Sequence, residues 1–238
     1  MEESAKLITI PLAPTANTTL LFRLICYLTF AITLLIPKFS SMKQANQTYS
    51  IRPTPPGPFF AIWGVIYLNF LITSTHTLIK DNWPRSAWLC YAAWNVMVGL
   101  WTITFNSVTQ EGLFVSFFLI LALLLVMEKL WTELVKSNLI EGWLRIYHHN
   151  TYALCVGWLT AACNLSFGIV LVQLCDISYD TQVTIFWVMI PMTCALFYWQ
   201  HYKTAPVASS VGLVLATVYA VIGAIISTAK PWPREHSI

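Results

Sequence analysis

Histidines and amides set in long apolar runs are the residues of this sequence whose types could do chemistry. His76 stands near the end of one apolar run, His148 and His149 open another, and His201 closes a third. Several histidines meeting a carboxylate at one depth would make a zinc hydrolase, the metal sharpening a bound water. Antiparallel runs would bring His76 and His148 to the same side. No HxxxH or HExxH spacing accompanies them, and Asp176 and Asp180 fall at the far end of the run that His148 opens. No metal site is read from this pattern. The six cysteines (Cys26, Cys90, Cys155, Cys163, Cys175 and Cys194) lie within or beside apolar runs without C-x-x-C spacing. They read as small buried hydrophobes rather than disulfide partners or zinc ligands. A retinal-type Schiff base needs a lysine midway along the last run, whereas Lys230 follows it.

Amides within apolar runs need a hydrogen-bond partner there. Asn69 and His76 are seven residues apart, on the helical face opposite the aromatic residues of their run. Asn95 shares a face with Trp88, Tyr91 and Thr102, which leaves packing and ligand contact both open. Asn164 stands among Ala153, Gly157, Ala161 and Gly168, where small residues permit close helix approach and the amide bonds across it. Nine of the 11 tryptophans divide into two sets. Trp83, Trp88, Trp131, Trp143 and Trp232 fall near run ends and suit an interfacial belt. Trp63, Trp94, Trp101 and Trp158 fall well inside, where they either pack helices or line a pocket for a flat apolar ligand.

The elements that must position these residues are membrane helices. Of 238 residues 57% are hydrophobic and only 10% charged, against roughly 25% charged in a soluble domain. The net charge of +3 is spread over the links, so there is no electrostatic footprint for nucleic acid. Seven apolar runs, about 20–36, 58–79, 86–105, 112–132, 148–174, 182–201 and 207–229, predict an all-α integral membrane protein with a seven-transmembrane-helix bundle. A long polar loop spans 37–57, a linker spans 133–147, and the remaining links are short. Short links make consecutive helices antiparallel neighbours. Gly212, Ala216, Ala220 and Gly223 repeat the small-residue device in the last run, and Pro191 predicts a kink in the sixth. Before the second run comes Arg52-Pro-Thr-Pro-Pro-Gly-Pro58, a stiff lip that cannot be helical until about Pro58. Beyond it Phe59, Phe60, Trp63, Tyr67 and Phe70 fall on one helical stripe. That aromatic wall beneath a prolyl mouth is read as one side of a working cavity.

The block Pro55-Pro-Gly-Pro-Phe-Phe-Ala-Ile-Trp-Gly-Val-Ile-Tyr67 resembles the helix-two signature of the TspO/MBR family, the translocator proteins and tryptophan-rich sensory proteins. Trp94-Asn95 through Trp101 is similar to that family's helix three, Gln110-Glu-Gly112 to its next link, and Gly157-Trp158-Leu-Thr-Ala-Ala-Cys-Asn164 to its helix five. The likeness covers about residues 20–175, and two helices follow, so the chain is closest to the longer seven-helix branch. The resemblance implies a five-helix core over 20–175, two additional helices over 182–229, and tails at 1–19 and 230–238. It also implies a cavity in the bundle, capped by the loop after helix one, for tetrapyrroles, sterols or aromatic drugs. Carried over by position, Trp63 and Tyr67 would line it from helix two, Asn95 and Trp101 from helix three, and Trp158 and Asn164 from helix five.

Three functions are therefore weighed. The first is a non-catalytic binding, sensory or transport protein for a hydrophobic planar ligand. The second is a structural subunit docked into a larger membrane complex, or a homodimer, through the small-residue faces. The third is a membrane enzyme acting on a lipid or tetrapyrrole through His76, His148 and His149. The bilayer is the expected surrounding, whether of an organelle such as the mitochondrion or of the cell surface.

Overall fold

The computed structural model of the chain describes residues 19–35, 51, 54–137, 139–202 and 207–229. The two tails, most of the 37–57 loop, Trp232, Lys230 and the His201 side chain lie outside the described residues. All regular structure described is helical. We number the helices α1 (Leu20–Leu35), α2 (Ile62–Lys80), α3 (Arg85–Asn106), α4 (Gln110–Ser137), α5 (Gly142–Cys175), α6 (Tyr179–Tyr202) and α7 (Val211–Ala229). A 3₁₀ turn, Gly57–Ala61, leads directly into α2. Six of these helices are long and apolar enough to cross a membrane. The 16 residues of α1 rise about 24 Å, just short of a ~30 Å hydrocarbon core.

The pattern of exposure is that of a protein dissolved in lipid. Outward positions carry Leu21, Leu28 and Ile32 on α1, Leu68 on α2, Ile103 on α3 and Met192 on α6, all of them exposed. Buried positions hold Thr73, Ser74, Asn95, His148 and Gln182. Hydroxyls and amides inside with leucines outside would be unfavourable in water, and is favourable in a bilayer, where polar groups need internal partners.

At the centre stands α5, the most buried helix, with α4 and α6 packed along it and α7 closely against it. Gly157 and Gly212 make the α5–α7 approach possible. A Cβ at Gly157 would sit 2.5 Å from the Leu213 carbonyl oxygen, and one at Gly212 would collide with the Asn150 carbonyl. Asn150 then fills the start of α7: its Oδ1 accepts the Gly212 N–H at 2.7 Å, and its Nδ2 donates to the Ala208 carbonyl at 2.6 Å. The small-residue faces of α5 and α7 thus pack on one another within the chain.

On the other side α3 and α4 pack closely, and α1 lies on α3. The α2–α3 link closes with Asp81 in the left-handed region (φ 49°), its N–H returning to the Thr77 carbonyl at 2.9 Å. Arg23 of α1 donates to the Leu78 carbonyl at 2.7 Å, with its Nε 3.4 Å from Asp81 Oδ1. A cation on the carbonyl end of α2 is favourable to that helix's dipole.

Three expectations change. Residues 133–147 are mostly helical, because Leu134 and Val135 continue the buried face of α4 while Glu133 bonds Lys129 at 2.7 Å and Ser86 at 2.6 Å. Polar composition there marks helix rising past the hydrocarbon rather than a linker. Trp83, Trp88 and Trp131 are completely buried, whereas Trp143 is 71% exposed. Only the last of these four fits the belt. Nearness to a run's end fixes a side chain's depth but not which way it turns. Finally, Phe59 leaves the aromatic stripe. The 3₁₀ turn advances about 120° per residue instead of 100°, and the Phe59 ring packs on Tyr219 of α7 at 4.7 Å.

Candidate functional site

The side chains of α2 meet α3 and α5 across a gap that backbones leave open. The backbones of α2 and α3 hardly approach each other, and aromatic rings span the space between them. Trp63 lies 5.8 Å from Tyr67 in a near-parallel stack, 6.2 Å from Trp101, and 6.3 Å from Trp158 edge-to-face. Phe60 meets Trp158 edge-to-face at 6.0 Å, and Trp101 stacks on Phe105 at 5.5 Å. Offset and T-shaped pairs of this kind match the quadrupoles of the rings. Helical spacing explains the set: 60 on the 3₁₀ turn, 63 and 67 on α2, and 101 and 105 on α3 are positions separated by three or four residues.

Beside these rings is a cavity lined by Thr54, Phe60, Trp63, Trp101, Phe105, Ile120, Trp158, Ala162, Leu165, Ser166 and Ile169. It lies under the prolyl segment, between the start of α2, the end of α3 and the later half of α5. Its volume is about 50 Å³, a few times the ~10–15 Å³ that one water needs. A tetrapyrrole or sterol therefore fits only after rings swing aside. The walls are apolar apart from the hydroxyls of Thr54 and Ser166 and the indoles. Trp101 Nε1 and Trp158 Nε1 are buried and lack a hydrogen-bond partner. An indole N–H is a donor only, so a guest that satisfies these two must bring an acceptor.

The six residues singled out in the sequence separate. Trp63, Trp101 and Trp158 converge on the cavity. Tyr67 stands one turn further along, against Trp63, Trp94 at 6.2 Å and Phe30 at 6.3 Å. Asn95 faces α1, its Nδ2 donating to Thr29 Oγ1 at 3.2 Å while Thr33 Oγ1 donates to its main-chain carbonyl at 2.9 Å. Asn164 faces α6, donating to Thr193 Oγ1 at 3.2 Å and to the Thr160 carbonyl at 2.8 Å. Both amides thus join helices and do not line the cavity. Phe105, Ile120 and Ser166, by contrast, were not singled out. Phe105 was within reach of the sequence at four residues from Trp101, whereas Ile120 on α4 carries no signal that distinguishes it from its apolar neighbours.

The histidines also separate. The His76 and His148 rings lie 5.3 Å apart, and His149 turns away to place Nδ1 3.0 Å from Ser209 Oγ. Asn69, on the same side of α2 as His76, accepts the Tyr147 hydroxyl proton at 2.6 Å. Among the described residues no group of three or more His, Cys, Asp or Glu side chains is placed to hold a metal ion. The six cysteines are free, with Cys26, Cys155 and Cys163 buried and Cys175 exposed.

Set against models of known protein families, curated proteins and solved structures, the chain matches none of them.

Proposed function

We propose that this chain is a non-catalytic, membrane-embedded binding or sensory protein for a hydrophobic planar ligand of the tetrapyrrole or sterol class, with transport of that ligand as its extension. All seven helices cross the bilayer in this reading. The likeness of Pro55–Tyr67 to the TspO/MBR signature gives the reading its family, with α6 and α7 added to a five-helix core.

The observation that carries it is the cavity walled by Trp63, Trp101 and Trp158, two of whose indole N–H groups are buried without acceptors. Flat apolar faces suit a planar guest, and the two donors select one that bears a carbonyl, carboxyl or hydroxyl oxygen. The loose backbone contact between α2 and α3 gives the rings somewhere to move. Quenching of tryptophan fluorescence by a tetrapyrrole, measured in detergent for the native chain, Trp63→Ala and Tyr67→Ala, tests the reading. We expect weaker quenching in both variants, with the larger loss at Trp63. Equal quenching in all three would remove this cavity as the site.

A second reading, a subunit of a larger membrane assembly, has one observation in its favour. Helix α6 is the least buried of the six long helices and packs chiefly on α5, which leaves most of its surface to lipid or to a partner. Migration of the mildly extracted chain as a lone monomer or dimer would end that reading.

A further inference from the structure

A second group of buried polar atoms lies at the opposite end of the bundle from the cavity, where α2 ends and α5 begins. His148 is 1% exposed, and neither of its ring nitrogens has a hydrogen-bond partner. His76 Nδ1, Thr77 Oγ1 and Trp83 Nε1 are also buried and unpartnered. The three rings are contiguous, His148 lying 5.3 Å from the His76 ring and 6.4 Å from that of Trp83, both edge-to-face, and Thr77 follows His76 along α2. Orphaned buried polar atoms are costly one by one and uncommon together. Here three elements, α2, the α2–α3 link and α5, bring them to one place.

We propose that this cluster is a binding site, separate from the cavity, for an uncharged hydroxyl group. The donor and acceptor inventory selects it. A neutral imidazole offers one N–H and one lone pair in either tautomer, the indole offers only an N–H, and the threonine hydroxyl offers both. A guest must therefore donate and accept within the same small space, as a hydroxyl does. A carbonyl guest would leave the imidazole lone pair unmet. A charged guest is opposed by burial, since His148 is shut from the surface and a charge taken out of water there has no opposite charge to meet among the described residues. A metal ion lacks a third protein ligand among the described residues. Trp83 and Thr77 are shut from the surface while His76 is half-buried. The rings pack edge-to-face with no water-sized space at their unpartnered nitrogens, so the guest enters when His76 swings aside, between α2 and α5. Its hydroxyl belongs either to water or to an alcohol dissolved in the membrane.

Radiolytic hydroxyl-radical labelling of the full chain in lipid nanodiscs, read by mass spectrometry, tests this. The rate at each residue is compared with its rate in the unfolded chain. Bound water makes His148 and Trp83 label severalfold faster, on that scale, than Met127, which is equally buried on α4. A long-chain alcohol carrying a diazirine is then added. Crosslinking to the His76–Trp83 segment, with loss of the His148 labelling, assigns the site to a membrane alcohol; unchanged labelling without crosslinking assigns it to water. His148→Phe should return Trp83 to the protection of Met127, and His148→Gln, which keeps a donor and an acceptor, should not. The proposal is overturned if His148 and Trp83 are as protected as Met127 and no crosslink forms. It is also overturned if Trp83 labels unchanged in folded His148→Phe, or if one equivalent of a transition metal copurifies and is lost in His148→Ala.

Discussion

Trp158 shows how one residue serves two ends. Its ring braces Phe60 and Trp63 edge-to-face, and its N–H is buried without a hydrogen-bond partner, which is the donor the proposed ligand would meet. Replacing it by Phe keeps most of the ring and removes the donor. In Trp158→Phe we expect a ketone-bearing steroid to bind about 5- to 10-fold more weakly, the worth of one hydrogen bond of ~1–1.4 kcal/mol. The hydrocarbon lacking the ketone should bind as before. Titration of both ligands by isothermal calorimetry checks the pair, and a parallel loss for the two would mean that only packing was altered. The place of Trp63 on an aromatic stripe was legible because that stripe repeats at helical spacing, whereas Trp101 and Trp158 were set beside it only by the resemblance and not by any local pattern. Asn95 and Asn164 were legible as polar groups needing partners, but their partners, Thr29 and Thr193, lie 66 and 29 residues away. No local pattern names a partner at that range.

Among the elements, α7 is held most specifically. Its first turn is capped from another helix, by Asn150 of α5, whose side chain bonds both the Gly212 N–H and the Ala208 carbonyl. An orphan N–H at a helix start inside a membrane has few alternatives. Asn150→Ala should therefore cost about 1–2 kcal/mol, the usual worth of a lost cap. Thermal unfolding followed by circular dichroism in detergent would register it as a lowered Tm, and an unchanged Tm would mean that solvent replaces the amide. The small-residue runs on α5 and α7 were readable as packing faces. That each is the other's partner was not, because the same pattern fits contact with a different chain equally well. The steric clash at Gly157 with Leu213, and at Gly212 with Asn150, decides it.

For the molecule as a whole, the closeness of α5 and α7 bears on how much of the chain is one unit. Helix α7 covers Gly157, and its Tyr219 holds Phe59 at the mouth of α2, so it reaches both the central helix and the edge of the cavity. Truncation after Cys175 should leave α5 with an exposed small-residue face and the mouth without its brace. We expect the 1–175 chain to aggregate on size-exclusion chromatography in a detergent that keeps the full chain monodisperse. A well-behaved 1–175 species with native helicity would show instead that α6 and α7 are appendages.

The amino-acid sequence by itself determined that this is a helical protein of the membrane, roughly where most of its helices begin and end, though not the end of α4 or the start of α5, and which side of α2 is aromatic. Each of these follows from local composition and period, which a helix in lipid must obey whatever surrounds it. Tertiary structure alone decided which way the rings at run ends turn, so that Trp83, Trp88 and Trp131 are core while Trp143 faces out. It also decided that the amides bind helices together, that residues 133–147 are mostly helix, and that His76 meets His148 while His149 does not. Depth is written along one chain; facing depends on what the neighbouring helices present, and that is settled only when all of them pack at once.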